Sequence, residues 1–464
     1  MKLSELATRC TGNLHGADIE FDSLSTDTRT IQRGDLFVAL KGDNFDGHDY
    51  VETAIEKGAG AVVVSRYLSA LAVPALEVAD TCTALGKAGQ LQRERSAAVV
   101  TAITGSSGKT SVKGFLQSVC ELAGSTLATR GNFNNHIGVP LTLMELQPSH
   151  QFAVVEAGTN SEGEIAYLTD LIRPDVAMVT NVMPAHIGGF GSLEAIAREK
   201  SAIYGQANLK TAIVNLDDQF APDFLQRLKG KQIIGVRELS AGSSQVGPVS
   251  DIAVDRELTI SSLSADSAGC YQFRMSVEGM EYDVKLSVPG RHQVINAAMA
   301  AAAAVAMGIE PLLLAEGLKS YFGSPGRMQV VETGYCKVLI DDTYNANPGS
   351  MRAAVDFIVG FDAPCLVLGD MGELGSAGAQ LHAELGEYAR ERGVQQLLAW
   401  GELSRSTVDA FGEGGSWYPS CDALLTAVGH LNLKNNAVLV KGSRSAKMER
   451  VVAQLEECHG VQKC

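Results

Sequence analysis

A buried strand, a glycine-rich loop and an amphipathic helix follow one another between residues 97 and 124. The run AAVVTAIT (97–104) is apolar almost throughout, which predicts a strand covered on both faces. The loop TGSSGKTS (104–111) comes next, and apolar residues then recur at helical spacing up to Gly124. Because buried strands that alternate with helices are typical of parallel sheets, this order strongly favours an α/β fold.

Three further apolar runs continue the pattern: FAVVEAG, DVAMVTNV and TAIVNLDD. They alternate with helical segments, so we predict a doubly wound parallel sheet in the central region. Residues 252–289 instead alternate apolar and polar side chains, as antiparallel strands do. The alanine-rich segment QVINAAMAAAAAVAMG follows and predicts a closely packed helix.

Differences in the pattern of strands and breaks along the sequence divide the chain into three α/β regions. The first has short strands such as GDLFVAL and GAVVVS, and the third begins at the Pro-Gly break SPGRM (324–328). The third region again alternates strands (KVLIDD, CLVLGDM, QLLAWGE and AVLVKGS) with helices, as a Rossmann-like domain does. We therefore expect three domains, at residues 1–92, 93–321 and 322–464.

Composition limits the partners of the chain. A net charge of −15 argues against non-specific binding to nucleic acid, whereas small anionic substrates stay possible. The longest apolar stretch, AAMAAAAAVAM (297–307), is too short to cross a bilayer, and the N-terminus lacks the apolar run of a signal peptide. The nine cysteines form no CxxC pair, which favours free thiols. We expect a cytoplasmic protein with no membrane insertion.

The loop at 104–111 has the composition of a phosphate-binding loop, although Gly105 precedes Gly108 by only three positions. Glycines let backbone N–H groups turn toward a phosphate, Lys109 reaches the outer phosphates, and the Thr110 hydroxyl suits Mg²⁺ at a helix N-terminus. A purely structural turn is the alternative. The predicted nucleotide contacts are Gly105, Ser106, Ser107, Gly108, Lys109, Thr110 and Ser111.

The carboxyl ends of neighbouring strands indicate where a metal would bind. Glu156 ends FAVVEAG and His186 follows DVAMVTNV, so both are candidate Mg²⁺ ligands with Thr110, although either could be an ordinary loop residue. Lys200 lies on the apolar stripe of the helix SLEAIAREKSAIY, which starts at the N-cap Ser192. A lysine that faces inward must lose its charge, find an anion or be chemically modified.

The third region carries two more polar strand ends. IDDTYNANPGSM (340–351) places Asp341, Asp342 and Tyr344 after a strand, and VKGSRSAKME (440–449) places Lys441 and Arg444 where an anion could bind. A turn cap and a solvated loop are the respective alternatives. Since this region has no phosphate-binding loop of its own, we expect a substrate divided between domains.

Taken together, these segments resemble the Mur ligases. The resemblance rests on TGSSGKTS, GNFNNHIGVPLTL, EAGTNSEGEI, AHIGGFGS, REKSAIY, GRHQVINAAMAAAAA, SPGRM, DDTYNANPGSM, LGDMGELG and VKGSRSAKMERVV, in this order over essentially the whole chain. It implies an N-terminal UDP-sugar-binding domain, a central ATP-binding domain and a C-terminal domain that helps bind the incoming amine. His136 departs from the short polar or acidic residue expected at its position.

The resemblance also implies residue roles. Lys109 and Thr110 would hold ATP phosphates and Mg²⁺, Glu156 and His186 would be metal ligands, and Lys200 would be the family's carbamylated lysine, formed with CO₂. Nucleotide contacts would come from Asn296, Arg327 and Asp342. Substrate contacts would come from Ser25, Thr26, Arg29, Asp46, Gly47, His48, Asn134, Asn135, Thr159, Asn160, Tyr344, Asn345, Lys441 and Arg444.

The reaction implied by the resemblance is ATP-dependent amide formation through an acyl phosphate. DDTYNANPGSM favours the members that add D-alanyl-D-alanine to UDP-N-acetylmuramoyl-tripeptide, the last cytoplasmic step of building the UDP-muramoyl-pentapeptide for peptidoglycan. Another Mur ligase or a folylpolyglutamate-type ligase is an alternative within the class, and a P-loop kinase or nucleotide-binding regulatory module lies outside it. We expect a monomer whose partners are small molecules.

Overall fold

The computed structural model describes residues 1–66, 71–184, 187–239 and 254–457. Within it the chain forms two compact units. The first comprises Met1–Thr104, Ala123–Met178 and Ala202–Ala212, and the second comprises Gly105–Leu122, Val179–Ser201 and Ile213–Cys464. His186, a predicted metal ligand, lies outside the described residues.

The N-terminal region is a small α/β layer around a five-stranded sheet with the order β1-β7-β6-β3-β2. Strand β1 is antiparallel to β7, and the other neighbours are parallel. All four residues of β6 are buried, as the run GAVVVS predicted. The elements are α1 (Leu3–Cys10), β1 (Asn13–His15), β2 (Leu24–Ser25), β3 (Leu36–Val38), β4 (Lys41–Gly42), β5 (Phe45–Asp46), α2 (Val51–Glu56), β6 (Ala61–Val64), β7 (Ala75–Glu77) and α3 (Thr81–Arg95).

The central region is built on a nine-stranded sheet. Its elements are β8 (Val99–Thr104), α4 (Lys109–Ala123), β9 (Thr126–Ala128), α5 (Gly138–Met144), β10 (Phe152–Glu156), α6 (Glu164–Ile172), β11 (Val176–Val179), α7 (Ile187–Phe190), α8 (Leu193–Ser201), β12 (Thr211–Asn215), α9 (Ala221–Arg227), β13 (Gln232–Glu238), β14 (Arg256–Ala265), β15 (Cys270–Val277), β16 (Met280–Pro289), α10 (His292–Ala306) and α11 (Leu314–Lys319). The strand order is β16-β15-β14-β13-β12-β11-β8-β10-β9.

The prediction of antiparallel strands near residues 252–289 is confirmed, with one addition. Strand β15 is antiparallel to both of its neighbours, β14 and β16, whereas β14 pairs in parallel with β13 and so extends the larger sheet. On β16 the exposed charged residues Glu281, Asp283 and Lys285 alternate with buried Val284 and Leu286. The alanines of α10 are buried except Ala306 at its end, as close packing requires.

The C-terminal region is a six-stranded sheet with the order β17-β18-β22-β19-β20-β21, parallel except for β17. Successive side chains of β22 pack in the hydrophobic cores on opposite faces of the sheet, because side chains alternate along a strand. Leu439 packs with α12, α13 and α14, whereas Val438 packs with α15 and α16. The elements are β17 (Gln329–Val331), β18 (Val338–Asp342), α12 (Pro348–Ile358), β19 (Pro364–Leu368), α13 (Gly378–Arg392), β20 (Gln396–Trp400), α14 (Ser404–Phe411), β21 (Gly415–Tyr418), α15 (Cys421–His430), β22 (Ala437–Lys441) and α16 (Glu449–Glu457).

Helices on both faces of the C-terminal sheet match the predicted Rossmann-like fold, and each predicted region contains one of the three large sheets. Where the domains begin and end stays a prediction. Among the described residues, seven cysteines are free thiols, and no helix is long and apolar enough to span a bilayer.

Candidate active site

The glycine-rich loop is tightly enclosed by the segment that follows β11. Gly105 and Gly108 adopt φ angles of +152° and +80°. A Cβ at Gly105 would lie 1.8 Å from Thr180 Oγ1, and one at Gly108 would lie 2.6 Å from Asn296 Oδ1. Only glycine meets both the backbone and the space requirements at these two positions. The structure therefore brings Asn296, a predicted nucleotide contact, directly beside the loop.

Asn181 holds the loop in shape. Ser106 N–H donates to the Asn181 carbonyl at 3.0 Å, and Ser107 N–H donates to Asn181 Oδ1 at 3.0 Å. The Ser106 hydroxyl donates to the Met183 carbonyl and accepts from Met183 N–H. Sequence reasoning missed Asn181, although it follows the strand DVAMV and the rule about carboxyl ends of strands could have found it.

Helix α4 begins at Lys109, which reaches back across the loop. Its Nζ donates to the Gly105 carbonyl at 2.7 Å. Thr110 and Ser111 are buried at the start of the helix, where the positive end of the helix dipole favours anions. The loop, the lysine and the hydroxyls that the sequence predicts to hold a phosphate thus lie together in the second unit.

Lys200 is buried, with 3% of the residue exposed. It lies on α8 beside the buried Ile196 and Ala197, and Ser192 Oγ accepts from Ala195 N–H at the start of this helix. Burial lowers the pKa of Lys200 well below its ordinary value, and repulsion by Lys109 lowers it further, while Glu199 opposes the shift. The inward-facing lysine therefore favours the neutral amine, the form that reacts as a nucleophile.

In the first unit, Glu156 ends β10 with its carboxylate buried. Its backbone N–H donates to Thr129 Oγ1 at 2.9 Å, and its Oε1 accepts a hydrogen bond from Asn134 Nδ2 at 2.8 Å. Asn135 Oδ1 instead accepts from the N–H groups of Ile137 and Gly138 at the start of α5. The two adjacent asparagines, both predicted to contact substrate, thus make different contacts within the chain.

The next loop carries the predicted substrate residues Thr159 and Asn160. Thr159 is buried and its hydroxyl donates to the Ser161 carbonyl at 2.8 Å. Asn160 is exposed, and its N–H donates to Glu164 Oε2 at 2.6 Å. These contacts fix the loop that follows Glu156.

In the C-terminal region, Asp342 and Lys441 form a buried ion pair, with Nζ 2.5 Å from Oδ2. Lys441 also donates to the Asn345 carbonyl, and Met328 N–H donates to Asp342 Oδ1. Because Lys441 is buried against these partners, its contacts are those of an internal residue. Arg444, predicted beside it as an anion ligand, is instead largely exposed and lies 3.5 Å from Glu449.

Arg327 and Tyr344 lie together at the start of the same region. The guanidinium of Arg327 is 4.1 Å from the centre of the Tyr344 ring, a cation–π contact. Tyr344 N–H donates to the Gly326 carbonyl at 3.0 Å. The structure thus places the predicted nucleotide contact Arg327 against the predicted substrate contact Tyr344.

The N-terminal residues predicted to bind the UDP group lie in two places. Ser25 Oγ donates to the Asp27 carbonyl, and the next residue, Thr26, is half-buried. Arg29 forms a bidentate ion pair with the Asp27 carboxylate, a partner that the sequence did not reveal. The buried His48 holds Asp46 at 2.6 Å through Nδ1, and its Nε2 accepts from Ser65 N–H. Both ring nitrogens of His48 therefore serve the local fold.

Gly47, between Asp46 and His48, has a structural reason to be glycine. A Cβ there would lie 2.6 Å from the Leu40 carbonyl oxygen.

Among the residues with described positions, no three His, Cys, Asp or Glu side chains are grouped as a metal site. A Mg²⁺ site of the kind predicted does not need such a group, because hydroxyl and phosphate oxygens supply part of its ligands.

Comparison with known proteins covers nearly the whole chain. Three family models match: "Mur ligase family, catalytic domain" at residues 20–87, "Mur ligase middle domain" at 103–304 and "Mur ligase, glutamate ligase domain" at 326–444. The UDP-N-acetylmuramoyl-tripeptide--D-alanyl-D-alanine ligase of Escherichia coli is 39% identical over 98% of each chain.

Solved structures agree with the sequence comparison. MurF from Acinetobacter baumannii superposes with a TM-score of 0.88 at 32% identity over 98% of each chain. MurF ligase from Thermotoga maritima in complex with ADP superposes with a TM-score of 0.81 at 25% identity, over 94% of this chain and 97% of that one. The fold, the loop and the matched regions together establish that the chain belongs to the Mur ligase family, with its three-domain α/β fold.

Proposed function

We propose that this chain is an ATP-dependent ligase that joins D-alanyl-D-alanine to UDP-N-acetylmuramoyl-tripeptide and releases ADP and phosphate. The observation that carries the proposal is the 39% sequence identity, over 98% of each chain, to a ligase named for this reaction. The alternatives outside the class, a P-loop kinase or a regulatory module, would need no C-terminal domain of this family. The buried Lys200 and the matched C-terminal domain therefore favour the ligase.

The chemistry required is activation of a carboxylate, which does not condense with an amine in water. The γ-phosphoryl group of ATP passes to the terminal carboxylate of the tripeptide, and the amine of the dipeptide then attacks the acyl phosphate and displaces phosphate. Such transfers depend on positioning and charge neutralisation, which Lys109 and the N-terminus of α4 supply.

The residues proposed as magnesium ligands carry the donor atoms that this ion prefers. Thr110 offers a hydroxyl at the start of α4, and Glu156 offers a buried carboxylate at the end of β10, both oxygen donors that Mg²⁺ prefers. His186 is proposed as a further ligand. When bound, the ion would neutralise charge on the phosphates.

We further propose that Lys200 carries a carbamate. A neutral lysine amine adds to CO₂ and loses a proton, which gives an N-carboxylate on a long side chain. The support is the burial of Lys200 and the low pKa that follows from burial and from Lys109. The modified side chain would bring a negative charge beside Lys109 and so replace repulsion by attraction.

The remaining roles are proposals from family membership. The segments around Ser25 and Asp46 would bind the UDP group, Asn296, Arg327 and Asp342 would contact the nucleotide, and the C-terminal domain would bind D-alanyl-D-alanine. In this assignment Lys441 acts by holding Asp342 and the Asn345 backbone. We expect a cytoplasmic monomer, since ATP and the UDP-linked peptide are cytoplasmic substrates.

The deciding experiment incubates the protein with ATP, the UDP-muramoyl-tripeptide and a panel of amino acids and dipeptides. Mass spectrometry of the product should show a mass increase that corresponds to D-alanyl-D-alanine, and phosphate release should require the dipeptide. Incorporation of a single L-amino acid in preference to the dipeptide would assign the chain to another member of the family. Phosphate release without any amine would favour a kinase or nucleotidase.

A further inference from the structure

The Asn134 side chain approaches Glu156 in a way that the assignment of Asn134 to the substrate does not explain. Asn134 Nδ2 lies 2.8 Å from Glu156 Oε1. A carboxylate only accepts hydrogen bonds, so the amide must present its NH₂ group to Glu156. The resulting bond is charge-assisted, which makes it stronger than one between neutral groups.

The backbone around Asn134 fixes the position of this amide. Asn134 N–H donates to the Asn132 carbonyl at 2.7 Å, and the Asn134 carbonyl accepts from Gly158 N–H at 2.7 Å. A Cβ at Gly158 would lie 3.0 Å from the Asn134 side-chain amide, so little space is left beside it. The loop that starts after β9 is thereby tied to the loop that follows Glu156, with the amide between them.

At this position, an amide and a charged side chain would affect the Glu156 carboxylate differently. A lysine or arginine would neutralise the buried carboxylate and repel a cation, whereas an aspartate would repel the carboxylate. An asparagine orients Glu156 through a hydrogen bond and leaves its negative charge for a cation. The neighbouring Asn135 has a different role, because its side-chain Oδ1 accepts hydrogen bonds from the N–H groups of Ile137 and Gly138 at the start of α5.

We propose that Asn134 is a positioning residue that holds the Glu156 carboxylate in the orientation for Mg²⁺, and that its side chain acts on the metal site through Glu156. The proposal rests on the proposed function, in which Glu156 binds the metal. Partners that orient a metal ligand typically change metal affinity by 10- to 100-fold when they are removed.

Two variants test the proposal. Asn134→Ala removes the amide, and Asn134→Asp keeps the shape and the backbone hydrogen bonds but replaces the donor by an acceptor. Mn²⁺ is used in place of Mg²⁺, and its binding in the presence of ADP is followed by electron paramagnetic resonance of the free ion. We expect both variants to raise the Kd for Mn²⁺ at least about tenfold, while the Kd for the UDP-muramoyl-tripeptide, measured by calorimetry without metal, stays within twofold of wild type.

Asn132→Ala is the matched control, because it makes the same change two residues away and keeps the backbone carbonyl that Asn134 uses. It should leave both Kd values unchanged. Wild-type Mn²⁺ affinity in Asn134→Ala and Asn134→Asp, with weakened tripeptide binding, would overturn the proposal and return Asn134 to substrate contact.

Glu156→Gln separates failure of this proposal from failure of the metal assignment on which it rests. If Glu156→Gln loses Mn²⁺ while both Asn134 variants retain it, only the role of Asn134 is wrong. If Glu156→Gln binds Mn²⁺ as wild type does, the assignment of Glu156 as a metal ligand is wrong, and the proposal falls with it.

Discussion

Asp342 and Lys441 are directly paired residues on the neighbouring parallel strands β18 and β22, and their side chains form a buried ion pair at 2.5 Å. The pair joins residues that are 99 positions apart in sequence. Lys441 also binds the backbone of Asn345, so the ion pair holds the turn after β18 as well as the two strand ends.

Breaking this pair should strongly destabilise the C-terminal domain. Lys441→Met leaves the Asp342 carboxylate buried without its counter-ion, and such losses typically cost about 3–5 kcal/mol. Urea unfolding followed by tryptophan fluorescence measures the effect, since Trp400 and Trp417 both lie in this domain. The control is Lys337→Met, which breaks an exposed Lys337–Asp362 pair of 2.8 Å and should barely move the unfolding midpoint. Equal shifts in the two variants would contradict the expectation.

The carbamate that we propose on Lys200 predicts a specific pattern of rescue. Lys200→Ala should nearly abolish turnover, and acetate should restore part of it because it supplies a carboxylate in the vacated space. Lys200→Arg should stay inactive with acetate, since arginine fills the space and stays cationic. Steady-state phosphate release measures all three proteins. Near-normal turnover of wild type in CO₂-depleted buffer after prolonged dialysis would argue against the modification.

The close approach of Gly188 and Gly375 predicts sensitivity to a single methyl group. A Cβ at Gly188 would lie 2.9 Å from Gly375 N and 3.2 Å from the Glu373 carbonyl oxygen. Gly188→Ala should therefore force α7 away from the loop before α13 and lower kcat about 10- to 100-fold, as small misplacements of catalytic groups do. Gly429→Ala is the control, because a Cβ there meets only a Gln454 side-chain atom at 3.8 Å. A wild-type kcat in Gly188→Ala would show that this approach is not needed for turnover.

His382 predicts a loss of stability in mild acid. Its Nδ1 donates to the Gly378 carbonyl and its Nε2 accepts from Met371 N–H, so the fold requires the neutral ring. Burial lowers the pKa of His382 below the ordinary value of 6.5, against opposing effects of Gly378 and Asp370. The unfolded chain therefore binds a proton first as the pH falls, and stability that is fully present above pH 6.5 is lost as the pH drops toward the lowered value.

The measurement is the midpoint of thermal unfolding of wild type and His382→Gln at pH values between about 8 and 5, the range in which histidine side chains titrate. His382→Gln should show a shallower decline below pH 6.5, with part of the slope retained because burial also lowers the pKa of His292. Identical slopes in the two proteins would mean that His382 does not contribute to the acid sensitivity.

Local patterns in the sequence predicted most of the fold. Buried runs predicted the parallel strands, alternation predicted the antiparallel pairing of β14 to β16, and the apolar stripe predicted that Lys200 is buried. These features depend on neighbours in sequence, so periodicity records them. The candidate phosphate-binding loop could be recognised in the sequence for the same reason, because its strand, glycines and helix are contiguous.

Long-range pairings could not be predicted in this way. The pairing of Lys441 with Asp342 could not be predicted, because the sequence does not state the strand register that places the two residues opposite each other. Asn134 was assigned to the substrate from the family resemblance, and its bond to Glu156 could not be predicted because it spans 22 residues and depends on two loop conformations. In both cases the partner is set by tertiary structure rather than by local propensity.

Exposed charged residues alternate with buried apolar residues along β16, and this pattern affects whether the protein aggregates. This ten-residue strand forms one edge of the nine-stranded sheet, and long edge strands can recruit strands from other molecules. Glu281, Asp283 and Lys285 line its exposed face, and the desolvation of these charges would oppose such edge-to-edge pairing. The strand thus carries its own protection against aggregation, and replacing these three residues by threonine or valine should produce a protein that folds but precipitates as its concentration rises.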